Sequence, residues 1–130
     1  MFHEMSTVLK LDGILIVGAP NLAALHNRVL LLFGGQPTVL KLGLAHVRGL
    51  TWAGFREFLE SCFPLGCEVV GRTGANFYPF PPAVARVLAK VLPGMAWGLV
   101  VALKKRRRYH REFLGFPRRK ALETNFWLGG

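Results

Sequence analysis

The groups in this chain that could do chemistry are few and widely spaced. Pro20-Asn21 follows an apolar run, Ile14-Leu15-Ile16-Val17, at the point where a strand would end. Ligands in open α/β sheets bind outside the carboxyl ends of strands, which makes the pair a candidate for substrate contact. The same two residues equally suit a plain turn with Asn21 as a helix cap. His46 and Arg48 lie in a stretch punctuated by Pro37, Gly43 and Gly49, where an imidazole can exchange a proton near neutral pH or simply sit in solvent. Tyr78 stands between Phe77 and Phe80, where it can line an apolar pocket or pack as part of the core. His26-Asn27-Arg28 reads as the polar stripe of an otherwise apolar helix. No Ser-His-Asp set and no paired carboxylates stand out. Cys62 and Cys67 have no second pair and no nearby histidine to complete the roughly four ligands of a zinc site. They read as buried apolar residues in a reducing cytoplasm.

These residues sit in a chain of 130 residues, one domain by length, with 52% hydrophobic and 18% charged residues and a mean hydropathy of +0.33. That is too apolar for a disordered chain. It is also apolar enough to imply either a membrane or a partner surface that hides the excess. The formal net charge of +10 is concentrated at one end: residues 1–103 carry eight basic against five acidic side chains, and residues 104–130 carry nine against two. The nearly balanced part reads as the domain. The run Lys104-Lys105-Arg106-Arg107-Arg108-Tyr109-His110-Arg111 opens a basic, flexible tail over 105–130 that could bind polyanions weakly.

The elements that must position the candidates follow from periodicity and punctuation. Met5, Val8 and Leu9 recur at helical spacing and read as the last turns of a helix beginning further upstream. Gly13 breaks it. The unalternating run at 14–17 reads as a strand covered on both faces. A helix is expected over Leu22–Phe33, stopped by Gly34-Gly35. Thr51 is placed to cap an amphipathic helix ending near Cys62. A short strand follows over Cys67–Arg72, then an aromatic, Pro-rich loop over 76–82. A helix over Ala83–Leu92 and a strand over Ala96–Leu103 complete the domain. The first two strands, joined by a helical crossover, are expected as a parallel, right-handed pair, with the last strand returning antiparallel beside them. The class is α/β, with about three strands and helices on both faces.

The segment Glu4-Met5-x-x-Val8-Leu9-Lys10-x-x-Gly13-x-Leu15-Ile16-Val17-x-x-Pro20-Asn21 resembles the stretch of class I S-adenosylmethionine-dependent methyltransferases in which a helix ends at a Val-Leu-Lys-Pro-Gly-Gly turn and runs into the fifth strand. The later order is similar too: His46-Val47-Arg48 before a helix opened by Thr51, then Gly66-x-Glu68-Val69-Val70, then a final strand before charged residues. Leu11 stands where the family has proline, and Pro64-Leu65 looks like an insertion. The resemblance covers residues 2–104 and implies the C-terminal half of a Rossmann-like methyltransferase sheet. It further implies S-adenosylmethionine as cofactor and a small-molecule or lipid-like methyl acceptor. Pro20, Asn21, His46, Arg48 and Tyr78 would lie on the acceptor side. The Gly-rich turn and ribose-binding acid such enzymes use have no counterpart here, so the resemblance implies a fragment that is inactive alone. Its partner would be the missing N-terminal half. Two other readings remain open: a membrane span over 83–103 followed by cations, and a basic nucleic-acid-binding module.

Overall fold

The computed structural model describes residues 2–38 and 50–119. The order is α1 (Phe2–Val8), β1 (Ile14–Pro20), α2 (Leu25–Leu32), α3 (Trp52–Cys62), β2 (Cys67–Ala75), α4 (Pro82–Val91), a 3-10 turn (Pro93–Met95), β3 (Gly98–Lys105) and α5 (Glu112–Arg119). The expected alternation of helices and strands is present, and the chain is α/β with an open three-stranded sheet. The span of 83–103 is divided between α4, the turn and β3. No helix among the described residues is long and apolar enough to cross a membrane.

The sheet order is β1-β3-β2, and both pairings are antiparallel, with Val17 opposite Val101 and Arg72 opposite Val101 on the other side. This corrects the expected parallel pair: β1 and β2 run the same way, but β3 lies between them. Composition explains the placement. Leu99-Val100-Val101-Ala102-Leu103 carries no polar side chain and suits the centre, where both ladders are satisfied. Glu68, Arg72 and Thr73 on β2 suit a solvated edge.

One face of the sheet is covered. Leu99, Val101, Leu103 and Lys105 alternate inward along β3 and are buried. Val101 and Leu103, with Val17, pack with Phe55 and Leu59 of α3, the helix that Thr51 caps by accepting from Gly54 N at 3.0 Å. Burial of each such aliphatic or aromatic side chain stabilises the fold by roughly 1.5–3 kcal/mol. Around this core Phe2 of α1, Phe58 of α3 and Phe113 of α5 bring their ring centroids to 5.5–5.7 Å of one another. α4 packs at the end of β2. A Cβ on Gly74 there would stand 2.3 Å from Ala96 Cβ and 2.8 Å from Ala89 O, so only glycine admits the contact.

No helix among the described residues covers the opposite face, where the sequence predicts a strand at 14–17 covered on both sides and helices on both faces. Ile14 and Ile16 alternate to that side and remain 59% and 68% exposed. β1 is hydrogen-bonded only through β3 among the described residues, leaving its outer edge unpaired.

The basic segment does not leave the body at residue 105. Lys105 is 6% exposed, and its Nζ donates to Ser6 O and Leu9 O, both at 2.7 Å, satisfying carbonyls at the end of α1. Arg106 bridges Asp12 and Glu68. Arg107 pairs with Glu112 and lies over the Phe63 ring. Tyr109 packs against Phe63 and accepts or donates a 2.9 Å hydrogen bond with His3 Nδ1. The expected boundary at 104 therefore falls inside β3, and the described part of 105–130 is folded against α1 and α3.

Candidate functional site

The region beyond the C-terminal ends of β1 and β2 is organised by Asn21. Its side chain is fully buried. Nδ2 donates to Gly94 O at 2.9 Å and Ala96 O at 2.8 Å, while Oδ1 accepts from Ala23 N at 3.0 Å. Its backbone N–H donates to Trp97 O at 2.8 Å. Every polar group of the residue is committed to the chain itself, so Asn21 positions the site and does not face a ligand. Nor does it cap α2, which begins three residues later than expected with Ala24 as a cap that makes no side-chain bond. An Asx turn at Asn21 delays the helix by competing for the same N–H groups.

Asn27 extends this scaffold. It too is fully buried; Nδ2 donates to Asn21 O at 3.1 Å, and Oδ1 accepts from Thr38 N at 3.0 Å and from Thr38 Oγ1 at 3.1 Å. Thr38 in turn meets His26 Nε2 at 2.9 Å. The polar stripe expected on α2 is thus divided. Asn27 faces inward as a buried strut, Arg28 is exposed with Nε on Ala23 O, and His26 turns toward a groove.

That groove has a volume of about 640 Å³ and is walled, among the described residues, by Leu25, Val29, Leu30, Tyr78, Pro79 and Trp97 as well as His26 and Thr38. The three rings at its rim form a triangle. Their centroids lie 5.7 Å apart for His26 and Tyr78, 5.3 Å for His26 and Trp97, and 6.0 Å for Tyr78 and Trp97. Tyr78 is 54% exposed, so it lines a surface and does not pack in the core. Burial pushes the His26 imidazole below its usual pKa, favouring the neutral ring. Among the described lining residues none carries a carboxylate, ammonium or guanidinium group.

Pro20 lines a neighbouring, more open crevice with Ala75, Asn76, Gly98 and Trp97. Trp97 borders both spaces, held through its backbone by Asn21 N and Asn76 O. The structure therefore brings Pro20 and Tyr78 to the two sides of Trp97. His46 and Arg48 lie outside the described residues. His26, Thr38 and Trp97 were not legible as site residues, because a helical histidine beside an asparagine reads as solvated polarity. The one available signal was a polar pair, His26-Asn27, inside the apolar frame of Leu25, Val29 and Leu30.

The fit to S-adenosylmethionine can be tested on the turns. After β1 the chain turns through Asn21-Leu22-Ala23, with Asn21 buried and no glycine. Gly34-Gly35 follows a helix, Gly71 and Gly74 lie within β2, and Gly94 lies in the 3-10 turn. None opens a strand-to-helix turn where backbone could approach a nucleoside, so the described residues do not form a cofactor cradle. Cys62 is buried and Cys67 half-buried, and no disulfide joins them; burial raises the Cys67 thiol pKa, which disfavours the thiolate. Compared with known protein families, with curated proteins and with solved structures, the chain matches none.

Proposed function

We propose that this chain is the acceptor-side half of a class I S-adenosylmethionine-dependent methyltransferase sheet, completed by a further α/β segment that supplies the cofactor side. The observation that carries the reading is the apolar edge of β1 over 14–17, unpaired among the described residues, beside a face that no described helix covers. Ile14 and Ile16 stand exposed on a strand whose other side is fully laddered to β3. A long apolar edge of this kind is a template for another strand. The order of helices and strands supports the same reading, as does the opening of two concave spaces at the carboxyl ends of β1 and β2. In the completed sheet the groove beside Tyr78 takes the methyl acceptor, a small molecule or a lipid-like one. This chain's residues bind and orient it, and S-adenosylmethionine, held by the other segment, supplies the methyl group. Methyl transfer depends chiefly on placing donor and acceptor in line, which suits a site with little acid–base machinery.

Calorimetry tests the proposal. S-adenosylmethionine titrated into the chain alone gives no 1:1 binding in the micromolar range. The same titration into the chain fused behind the N-terminal half of a class I methyltransferase gives such binding. Micromolar 1:1 binding by the chain alone, or a folded fusion that binds no cofactor, overturns it.

A further inference from the structure

The hydrogen-bond chain behind His26 fixes which of its nitrogens carries a proton. Asn27 Nδ2 must donate to the Asn21 carbonyl, and Asn27 Oδ1 must accept from the Thr38 N–H, so the orientation of that amide is not free. The Thr38 hydroxyl lies 3.1 Å from the same Oδ1, an oxygen that can only accept, so in this bond the hydroxyl donates. What the Thr38 oxygen offers His26, at 2.9 Å, is then a lone pair, and Nε2 must carry the hydrogen. In the neutral ring this leaves Nδ1 as a bare acceptor, with no partner among the described residues. Among the described lining residues it is the one acceptor nitrogen, the others being Thr38, Tyr78, Trp97, Pro79 and aliphatic side chains.

We propose that this groove binds a planar aromatic compound bearing a hydroxyl, a phenol or naphthol, whose O–H donates to His26 Nδ1 while its ring packs against Tyr78 and Trp97. The proposal deepens the acceptor role assigned above by naming its chemical class, although binding itself needs neither cofactor nor the second segment. The volume of about 640 Å³ lies within the range of small-molecule sites. Aromatic walls favour a flat ring in offset or edge contact. The described lining has no carboxylate or cationic side chain to select an ion. A polar atom built into an apolar site also discriminates against a ligand that cannot satisfy it. One neutral hydrogen bond corresponds to about tenfold in affinity.

The test uses the full chain and three probes: 2-naphthol, 2-methoxynaphthalene and naphthalene, titrated by NMR with long-range histidine correlations recorded. The expected result is an Nε2–H tautomer at His26 and saturable binding of 2-naphthol with shifts at His26, Tyr78 and Trp97. The other two probes bind about tenfold more weakly. His26→Phe abolishes the preference for naphthol while keeping the hydrocarbon's affinity. If that variant fails to fold, Thr38→Val serves instead, because it leaves the ring in place, releases its tautomer and reduces the preference. Equal affinity for all three probes, no saturable naphthol binding, or an Nδ1–H tautomer overturns the proposal. Each of those outcomes leaves the cofactor titration of the fused protein unaffected, so the two readings fail separately.

Discussion

Asn21→Ala removes the junction on which the whole site is hung, and its cost can be worked from the contacts. Three side-chain hydrogen bonds disappear, to Gly94 O, Ala96 O and from Ala23 N. A net hydrogen bond contributes roughly 0.5–1.5 kcal/mol, and a buried group left unsatisfied costs about 1–3 kcal/mol. The Ala96 bond is buried and cannot be replaced by water, whereas the other two are half-buried and can be rehydrated in part. The expected loss is therefore about 2–4 kcal/mol, a large share of the ~5–15 kcal/mol that holds a domain of ordinary stability. Urea unfolding followed by circular dichroism, at protein concentrations low enough to suppress association, measures it. Asn21→Asp gives a second arm: near neutral pH a carboxylate faces two carbonyl oxygens and costs at least as much as alanine. Part of that loss returns in acid, when the protonated carboxyl regains one donor. An alanine variant within about 0.5 kcal/mol of the parent, a change typical of an ordinary surface position, refutes the role assigned to Asn21.

Three further expectations follow from other parts of the structure. Lys105→Met keeps the buried stem but leaves the Ser6 and Leu9 carbonyls without their donor, so chemical denaturation should show a loss of about 1–3 kcal/mol; an unchanged midpoint contradicts the capping role. The chain should self-associate at micromolar concentration through the bare face and edge of β1. Replacing Ile14 and Ile16 together by lysine should shift light scattering toward monomer, and a monodisperse parent chain removes the basis for the expectation. Burial lowers the His26 pKa in the folded state, so the unfolded chain takes up that proton first as pH falls below about 6.5, the ordinary histidine value. Stability from this group is thus present above that pH and lost on acidification through the lowered folded value. His26→Phe should flatten that part of the pH–stability curve, and an identical slope in both proteins argues against a desolvated ring.

Up to the end of β3 the helices and strands were legible in the sequence, because those choices rest on local physics; α5, inside the stretch read as a flexible tail, was not. Thr51 ahead of an amphipathic run set the start of α3 through a cap made within one turn. The apolar runs at 14–17 and 99–103, bounded by glycine, proline or charge, read as strands and form them, although the second also fits a membrane span. The glycine pair at 34–35 stopped α2, with Gly34 taking φ of +72°. Every question of pairing was settled by long-range packing instead. A run of β-branched residues is the same whether it lies in the middle of a sheet or at its edge. Nothing local told that β3 would enter between β1 and β2, or that Ile14 and Ile16 would stay uncovered. The basic stretch after 104 looked detached because like charges repel along the chain. Its partners, Asp12, Glu68 and the carbonyls of α1, lie far away in sequence and meet it only once the sheet has formed. The candidate groove shows the same division. Tyr78 and Pro20 were visible from their neighbours in sequence. His26 and Trp97 come together at the groove because Asn21 ties the chain after β1 to the turn before β3 and Asn27 ties α2 to Asn21 and Thr38, contacts that no local sequence pattern reveals.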